Sequence, residues 1–406
     1  MRTGRIITAL ATMLALPVMA ADAPGYFKVP GTETTLKIYG YVQADGVYDI
    51  DGNYGMDSGM YPSDNHDEDS VPDNQWNWRA KGRFGFTTTT PSSLGDVTVK
   101  MEFQAVDNGS SSNVVKMRHC FGRIGGLTIG KTDSLFADWD ASANYMDNDG
   151  PLYDFYGNSR VNQISYAFSP AEGWNIAFGL ESNTNSSPSK DFDTNSLVAA
   201  AGYSGDWGHV RASVAYQKYK NEATAAIPAH AATGMMVDMT NDGVNNPVWV
   251  ELTPATPAVP AYGSDSKGCV SWGLGANYVV GKGNITAQVF DGVGFYGAGD
   301  VDKFYTDDEN QVDFQRAFAW NLGYSHAVTD SVTVAAGFGQ IKWKEDKNLA
   351  PATITLTNYF LNCQWQATKQ ASFGIEYFNG KLKWDGEGDY EPKESRISVR
   401  AKFQLF

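Results

Sequence analysis

Residues 36–50 read LKIYGYVQADGVYDI, and their pattern decides the fold. Apolar and small residues stand at every second position, while polar residues and tyrosines occupy most positions between them. A period of two is typical of a β-strand whose two faces meet different surroundings. The same alternation governs residues 76–88 and 397–405, and helical periodicity is almost absent. The chain is therefore expected to be all-β.

Composition and connection lengths favour a barrel in a membrane. The mean hydropathy of −0.35 excludes a bundle of membrane-spanning helices, each of which needs about 20 apolar residues. Aromatic residues often begin or end the apolar faces of the strands, as an interfacial girdle requires. A soluble sandwich would also alternate, but its connections need not alternate between short and long. Open sheet edges cannot be satisfied in lipid, so the sheet must close on itself.

The predicted fold is a 16-stranded antiparallel transmembrane β-barrel. Connections after even-numbered strands are short, as in periplasmic turns, and most of those after odd-numbered strands are long, as in external loops. The predicted strands cover residues 36–50, 76–88, 96–106, 114–124, 126–132, 160–169, 173–181, 196–204, 208–219, 268–280, 283–292, 315–326, 331–344, 353–366, 371–382 and 396–405.

Residues 1–20 resemble an export signal. Arg2 and Arg5 precede a short apolar core at residues 6–16, and small residues at Val18 and Ala20 predict cleavage after Ala20. A transmembrane anchor is the alternative, but the apolar core is too short to span a bilayer. Residues 21–406 are expected to form a single barrel domain in the outer membrane of a Gram-negative bacterium. Within the longest external loop, 220–267, a small hairpin is expected near residues 248–252.

Acidic residues concentrate in the external loops. The formal charge of −15 argues against nucleic acid as a partner. Loop 51–75 carries seven acids, which indicate a solvated surface or divalent cations bridging to lipopolysaccharide. Loop 133–159 differs because it also carries six aromatic rings, so it is suited to packing against a barrel wall. Its candidate constriction acids are Asp133, Asp138, Asp140, Asp147 and Asp149.

Basic residues concentrate on one inward wall. Closing the barrel brings the sixteenth strand beside the first, so strands 16 and 1–4 form a continuous lumen face. The acidic third loop is expected to face this basic wall, so that a transverse field crosses the gap between them. Rings of Arg and Lys are how anion channels select, although the same residues could instead hold the acidic loop by salt bridges. Both interpretations stay open at this stage. The candidate anion-binding residues are Arg79, Lys81, Arg83, Lys116, Arg118 and Arg400.

The sequence carries no motif for metal binding or catalysis. The three cysteines are far apart and none of the five histidines has a partner at metal-ligand spacing, so no metal or cofactor is expected. His119 falls on the outward parity of the fourth strand. No nucleophile motif appears, so neither catalysis nor a catalytic residue is expected.

Four stretches of the chain resemble the DcaP-like, dicarboxylate-type outer-membrane porins. They are KVPGTETTLKIYGYVQADGVYD at 28–49, FGFTTTTPSSLGDVTVKMEFQ at 84–104, MRHCFGRIGGLTIGKTDSLFAD at 117–138 and FGIEYFNGK at 373–381. The resemblance covers the scaffold from about residue 28 onward. Its specific part lies within the first 140 residues.

The resemblance implies a homotrimer that admits small, often anionic solutes passively. It also implies that the third external loop, 133–159, folds inward and narrows the pore. Arg79, Lys81 and Arg83 match positions where the family carries basic lumen residues, as do Lys116 and Arg118. The competing interpretations are a general or sugar-type channel, a surface adhesin acting through loop 220–267, and an outer-membrane enzyme.

Overall fold

The structure of the protein is a computed structural model. It describes residues 24–51, 75–107, 114–146, 160–182, 195–220, 233–238, 247–253, 264–293, 296, 305–306, 312–313, 316–344, 353–385 and 393–406. The expected signal peptide and most of loops 51–75 and 220–267 lie outside the described residues.

Sixteen long antiparallel strands follow one another along the chain. They are β1 (Thr35–Asp51), β2 (Gln75–Thr90), β3 (Val97–Asp107), β4 (Val114–Ile124), β5 (Leu127–Asp133), β6 (Arg160–Phe168), β7 (Trp174–Glu181), β8 (Ser196–Gly205), β9 (Gly208–Lys220), β10 (Ser266–Val280), β11 (Gly283–Val293), β12 (Arg316–Ala327), β13 (Val332–Lys344), β14 (Thr353–Gln366), β15 (Ala371–Asp385) and β16 (Lys393–Gln404).

Every long strand pairs with its neighbours in sequence, and β1 also pairs with β16. The sheet therefore closes, and none of the sixteen strands leaves a free edge facing lipid. The prediction of a closed 16-stranded barrel is confirmed. The strand ends differ from the predicted ones by no more than three residues.

Short elements decorate the barrel. Residues Tyr26–Lys28 pair with the start of β1. The strands Thr233–Asp238 and Pro247–Thr253 form the hairpin expected within loop 220–267. A second hairpin joins Tyr305–Thr306 to Val312–Asp313. In the described part of the chain, no helix has the length and apolar character needed to cross a membrane.

Glycine permits two of the tightest turns. Two residues connect β4 to β5 and two connect β10 to β11, and the first of each pair is a glycine with positive φ: Gly125 at 54° and Gly281 at 56°. Two-residue hairpins need positive φ because only then does the turn follow the strand twist. Both turns lie at the end of the barrel that carries the short connections.

The two faces of the strands differ as the alternation predicts. Outward side chains are mostly apolar and exposed. Rings from successive strands meet near the short-turn end, where Trp174 lies 5.3 Å from Tyr203 and Trp207 lies 6.3 Å from Tyr278. These rings form part of an aromatic girdle. Inward side chains are mostly polar and buried, as at Gln163, Gln217, Gln288, Asn321 and Asn358.

A β-bulge in β4 changes the inward parity that the sequence predicts. Glu102 pairs with His119 and Phe103 pairs with Met117, so Arg118 is the extra residue. Beyond the bulge, the positions that alternation assigns to the outside point inward. His119 is 5% exposed and its Nδ1 lies 3.1 Å from Thr132 Oγ1. The outward placement predicted for His119 is therefore wrong.

The outward face predicts a depth-dependent cost of charge. Leu361, near the middle of β14, is 60% exposed on the outer surface. We expect Leu361→Arg to lower the free energy of unfolding in lipid vesicles by about 2–4 kcal/mol, since a guanidinium there must enter hydrocarbon. Leu94→Arg is the control, because Leu94 lies in the turn after β2 and is 75% exposed. Equal costs for both variants would contradict the assignment of the outer face.

Candidate functional site: a basic cavity beside the third loop

The described part of the third loop, residues 134–146, runs along the inside of the barrel. Its backbone carbonyls accept hydrogen bonds from inward side chains of β9, β10, β11 and β14. These bonds tie the backbone of the loop to the inner wall. The donors and acceptors are Arg211 Nη2 to Leu135 O (2.8 Å), Ser213 Oγ to Phe136 O (2.8 Å), Gln288 Nε2 to Asp138 O (2.6 Å), Asn277 Nδ2 to Asp140 O (3.0 Å) and Asn362 Nδ2 to Asn144 O (2.7 Å).

Two buried carboxylates fix the ends of this segment. Glu181, at the end of β7, accepts bonds from Ser134 Oγ at 2.7 Å and from the Leu135 N–H at 2.6 Å. Glu376, on β15, accepts the Met146 N–H at 2.6 Å. Hydrogen bonds to buried carboxyl groups therefore hold both ends of the segment.

Apolar packing also fixes the loop segment at its Glu181 end. The Phe136 ring is buried between Phe290 and Tyr296, with centroids 6.5 and 5.0 Å away. The Tyr296 hydroxyl donates to Glu181 Oε2 at 2.9 Å. Burial, and then the negative charge of Glu181, raise the pKa of Tyr296 well above its ordinary value, so this hydroxyl keeps its proton.

A cavity of about 320 Å³ separates the loop from the opposite wall. On the wall side it is lined by cations, and on the loop side by two aromatic rings and a hydroxyl. No carboxylate lines it among the described residues. Its cations are Lys81, Arg83, Arg118, Arg160, Arg400 and Lys402, its remaining wall residues are Tyr41 and Gln43, and its loop residues are Trp139, Ser142 and Tyr145.

The register of the closed barrel explains how so many cations share one wall. Asp45 on β1 pairs directly with Arg79 on β2 and with Arg400 on β16. Its Oδ2 accepts from Arg79 Nη2 at 2.7 Å, and its Oδ1 accepts from Arg400 Nε at 2.6 Å. Two residues before Asp45, on the same face of β1, Gln43 lies between Lys81 and Lys402. Strand β1 therefore separates two basic strands with an acid and an amide.

A second carboxylate supports the cations of β2 and β4. Glu102 on β3 accepts from Arg118 Nε at 2.9 Å and from the Tyr39 hydroxyl at 3.0 Å, and Arg83 Nε lies 3.6 Å away. Arg83 also donates to Gln104 at 2.6 Å. The bulge in β4 contributes here, because it lets Arg118 reach Glu102.

Rings hold the remaining cations near the cavity. Lys402 Nζ lies 4.2 Å from the Tyr41 centroid and the Arg83 guanidinium lies 5.0 Å from it. Cation–π contacts of this kind fix a cation without neutralising it. Across the cavity, Arg160 lies 5.8 Å from the Trp139 ring and 3.2 Å from Asp133.

Four of the six predicted basic residues line the cavity, namely Lys81, Arg83, Arg118 and Arg400. Arg79 is 4% exposed and lies behind the cavity, bonded to Asp45. Lys116 pairs with Gln104 on the long-loop side of the bulge and does not line the cavity. The sequence thus identified the wall but not which cations face the open space.

The predicted acids of the third loop are arranged differently from the expectation. The expected transverse field had the loop acids facing the basic wall. Instead, Asp138 turns to the far wall, where its Oδ2 lies 3.0 Å from His209 Nε2. Asp133 pairs with Arg160, and Asp140 lines no part of the cavity. Asp147 and Asp149 lie outside the described residues.

Sequence reasoning did not single out Arg160, Lys402 or Ser142 as site residues. The alternation left the face of Arg160 open, and its contacts with Asp133 and the Trp139 ring place it beside the cavity. Lys402 belongs to the basic inward row of β16, so parity alone identified its face. For Ser142, the surrounding rings Trp139 and Tyr145 were the only signal. Within the described part of the chain, no three His, Cys, Asp or Glu side chains converge as a metal site.

The relatives of the chain are porins. One is the porin Omp2b of Brucella suis biovar 1, which is 27% identical over 230 residues. The alignment covers 52% of this chain and 59% of that relative. The chain thus matches only part of the relative's length.

Solved structures share the fold at low identity. The outer membrane channel DcaP of Acinetobacter baumannii superposes with a TM-score of 0.66 at 16% identity, over 93% of this chain and 99% of that one. An anion-selective porin from Comamonas acidovorans gives a TM-score of 0.53 at 13% identity, over 92% and 100%. Both comparisons agree with the closed barrel described above. A family model described as the porin subfamily matches residues 18–399, and the chain therefore belongs to that family of Gram-negative outer-membrane barrels.

Proposed function

We propose that this protein is a passive diffusion channel for small hydrophilic solutes that favours anions such as dicarboxylates. The observation that carries the proposal is the cavity between the wall and the third loop. Six cations line it, and the carboxylates that support them, Asp45, Glu102 and Asp133, do not. A passing anion would therefore meet positive groups first, with the compensating charge set back in the wall.

Arginine and lysine have complementary roles in this arrangement. Arg400, Arg83 and Arg118 present guanidinium groups whose flat forks match a carboxylate. Lys402 adds a compact charge, and Ser142 on the loop side adds a hydroxyl. Several bound waters can complete the contacts, because the cavity is polar and open to solvent.

The partners follow from the family resemblance. We propose small anionic solutes as cargo, a homotrimer as the assembled form, and outer-membrane lipid with lipopolysaccharide as the surroundings. The structural neighbour from Comamonas acidovorans is itself an anion-selective porin. At 13% identity that neighbour supports the fold, while the anion preference of this chain rests on its own cavity.

The anion preference predicts a reversal-potential shift. We expect wild-type channels in planar bilayers under a KCl gradient to prefer chloride. Lys402→Glu should lower the ratio of anion to cation permeability about three- to tenfold, since two charge units at ~6 Å in water amount to about 1.4 kcal/mol before screening. Lys402→Gln should give about half that free-energy change.

Lys116→Glu is the matched control for this experiment. It makes the same change of charge on a residue that lies outside the cavity, so its effect should be clearly smaller. Equal shifts for both variants would mean that total charge, and not the cavity, sets selectivity. A wild-type preference for potassium would overturn the anion proposal and favour a general or sugar-type channel.

The buried cations have a structural role that stability measurements can isolate. Asp45→Ala leaves Arg79, which is 4% exposed, without its partner carboxylate. We expect the free energy of unfolding to fall by about 3–5 kcal/mol, as when one member of a buried ion pair is removed.

Glu33→Ala provides the comparison for Asp45→Ala. Glu33 bonds Lys28 at 3.0 Å, but both side chains are largely exposed, so the expected cost is at most about 1 kcal/mol. A cost below about 1 kcal/mol for Asp45→Ala as well would refute the structural role of the Asp45 cluster.

A further inference from the structure

Residues 134–146 have two distinct faces. Trp139, Ser142 and Tyr145 line the cavity. Ala141, Ala143 and Met146 are buried on the other side, against the inner wall. The distance between this segment and the wall therefore sets how far the loop rings project toward the cations.

Three glycines lie on the wall beneath the buried face of the loop. Gly275 on β10, Gly323 on β12 and Gly374 on β15 each point inward, as their pairing with Gln288, Thr286 and Arg400 respectively indicates. None has positive φ. Their backbone conformation is thus open to any residue, and what they provide is the absence of a side chain.

A methyl group at each of these glycines would collide with the loop. At Gly275 a Cβ would lie 2.2 Å from Asp138 Oδ2 and 3.0 Å from Ala141 Cβ. At Gly323 it would lie 2.7 Å from Ala143 Cβ and 3.1 Å from Ala143 Cα on the loop, and 2.7 Å from Thr286 Oγ1 on the neighbouring strand β11. At Gly374 it would lie 2.6 Å from Met146 Sδ. Real Cβ atoms do not approach other atoms this closely, so something must move.

We propose that Gly275, Gly323 and Gly374 form a glycine seat for the third loop and thereby set the size limit of the solutes that pass. The proposal rests on the proposed function only in that the cavity is the diffusion path. Close-packed interiors transmit added volume instead of absorbing it. A side chain in the seat would push the loop off the wall, and the loop can move only toward the cavity.

The loop atoms that face each glycine predict how strongly each substitution narrows the channel. Ala143 meets Gly323 through its Cβ and Cα, which no side-chain rotation can remove. Met146 meets Gly374 through a flexible thioether that can repack. Gly323→Ala should therefore narrow the channel more than Gly374→Ala.

The test is single-channel conductance in planar bilayers, with liposome swelling in neutral sugars of increasing size. For Gly323→Ala we expect conductance to fall about twofold, because packed side chains transmit the added methyl, and the largest permeant sugar to become smaller. The double variant Gly323→Ala with Ala143→Gly should recover most of the conductance, because it removes the loop atom that collides most closely, while the contact with Thr286 lies within the wall and is the same in both variants. Gly82→Ala is the matched control, since a Cβ there meets nothing within 4 Å.

The outcomes separate this proposal from the anion preference. Wild-type conductance in Gly323→Ala, a loss equal to that of Gly82→Ala, or no recovery in the double variant would overturn the glycine seat. If Gly323→Ala yields no channels, recovery of channels by Ala143→Gly supports the seat and its failure refutes it. The reversal potential of the same channels tests the anion preference separately, because these substitutions change no charge.

Discussion

The register with which the barrel closes is the constraint on which the rest of the site depends. It places β1 between β2 and β16, two strands whose inward faces are basic. Asp45 then meets one arginine on each side, and Gln43 separates two lysines. Shifting β1 by one residue would turn these spacers outward and bring the apolar residues that now face lipid into the lumen. Exposure of the apolar face to lipid and the ion pairs of Asp45 therefore favour the same register.

This arrangement resolves the repulsion expected among stacked cations. Like charges directly opposite one another destabilise a sheet, and here they are separated by a strand that carries an acid, an amide and a tyrosine. Asp45 pairs with Arg400 within the wall. The Tyr41 ring contacts Lys402 and Arg83 without neutralising their charge. The wall can then be stable and still present positive charge to the open space.

The third loop completes the site from the other side. Its carbonyls are occupied by donors from four strands and its two ends by buried carboxylates. Asp138, one of the acids expected to face the basic wall, is instead held by His209. The loop therefore contributes rings and a hydroxyl to the cavity, and the cavity's charge comes from the wall.

Alternation was sufficient to predict the strands, because a barrel wall must be apolar outside and polar inside along its whole length. It failed at His119, where one extra residue in β4 reverses the parity, and bulges leave no reliable mark in a sequence. It also could not separate Arg79 from Arg83. Both side chains lie on the inward face of β2. Only the pairing between strands shows which of them is buried against an acid. The direction in which Asp138 turns was beyond the sequence for a similar reason, since its contacts join residues more than 70 positions apart.

The sign of the electrostatic potential at the cavity is the most direct test of the account. Ser142→Cys, in a variant whose three native cysteines are replaced by serine, places a thiol on the loop side of the cavity. Its rates of modification by anionic and cationic methanethiosulfonates of similar size are measured and divided by the rates for a free thiol in solution. The account predicts that the anionic reagent is favoured on the order of tenfold, and more at low ionic strength. Preference for the cationic reagent would contradict it.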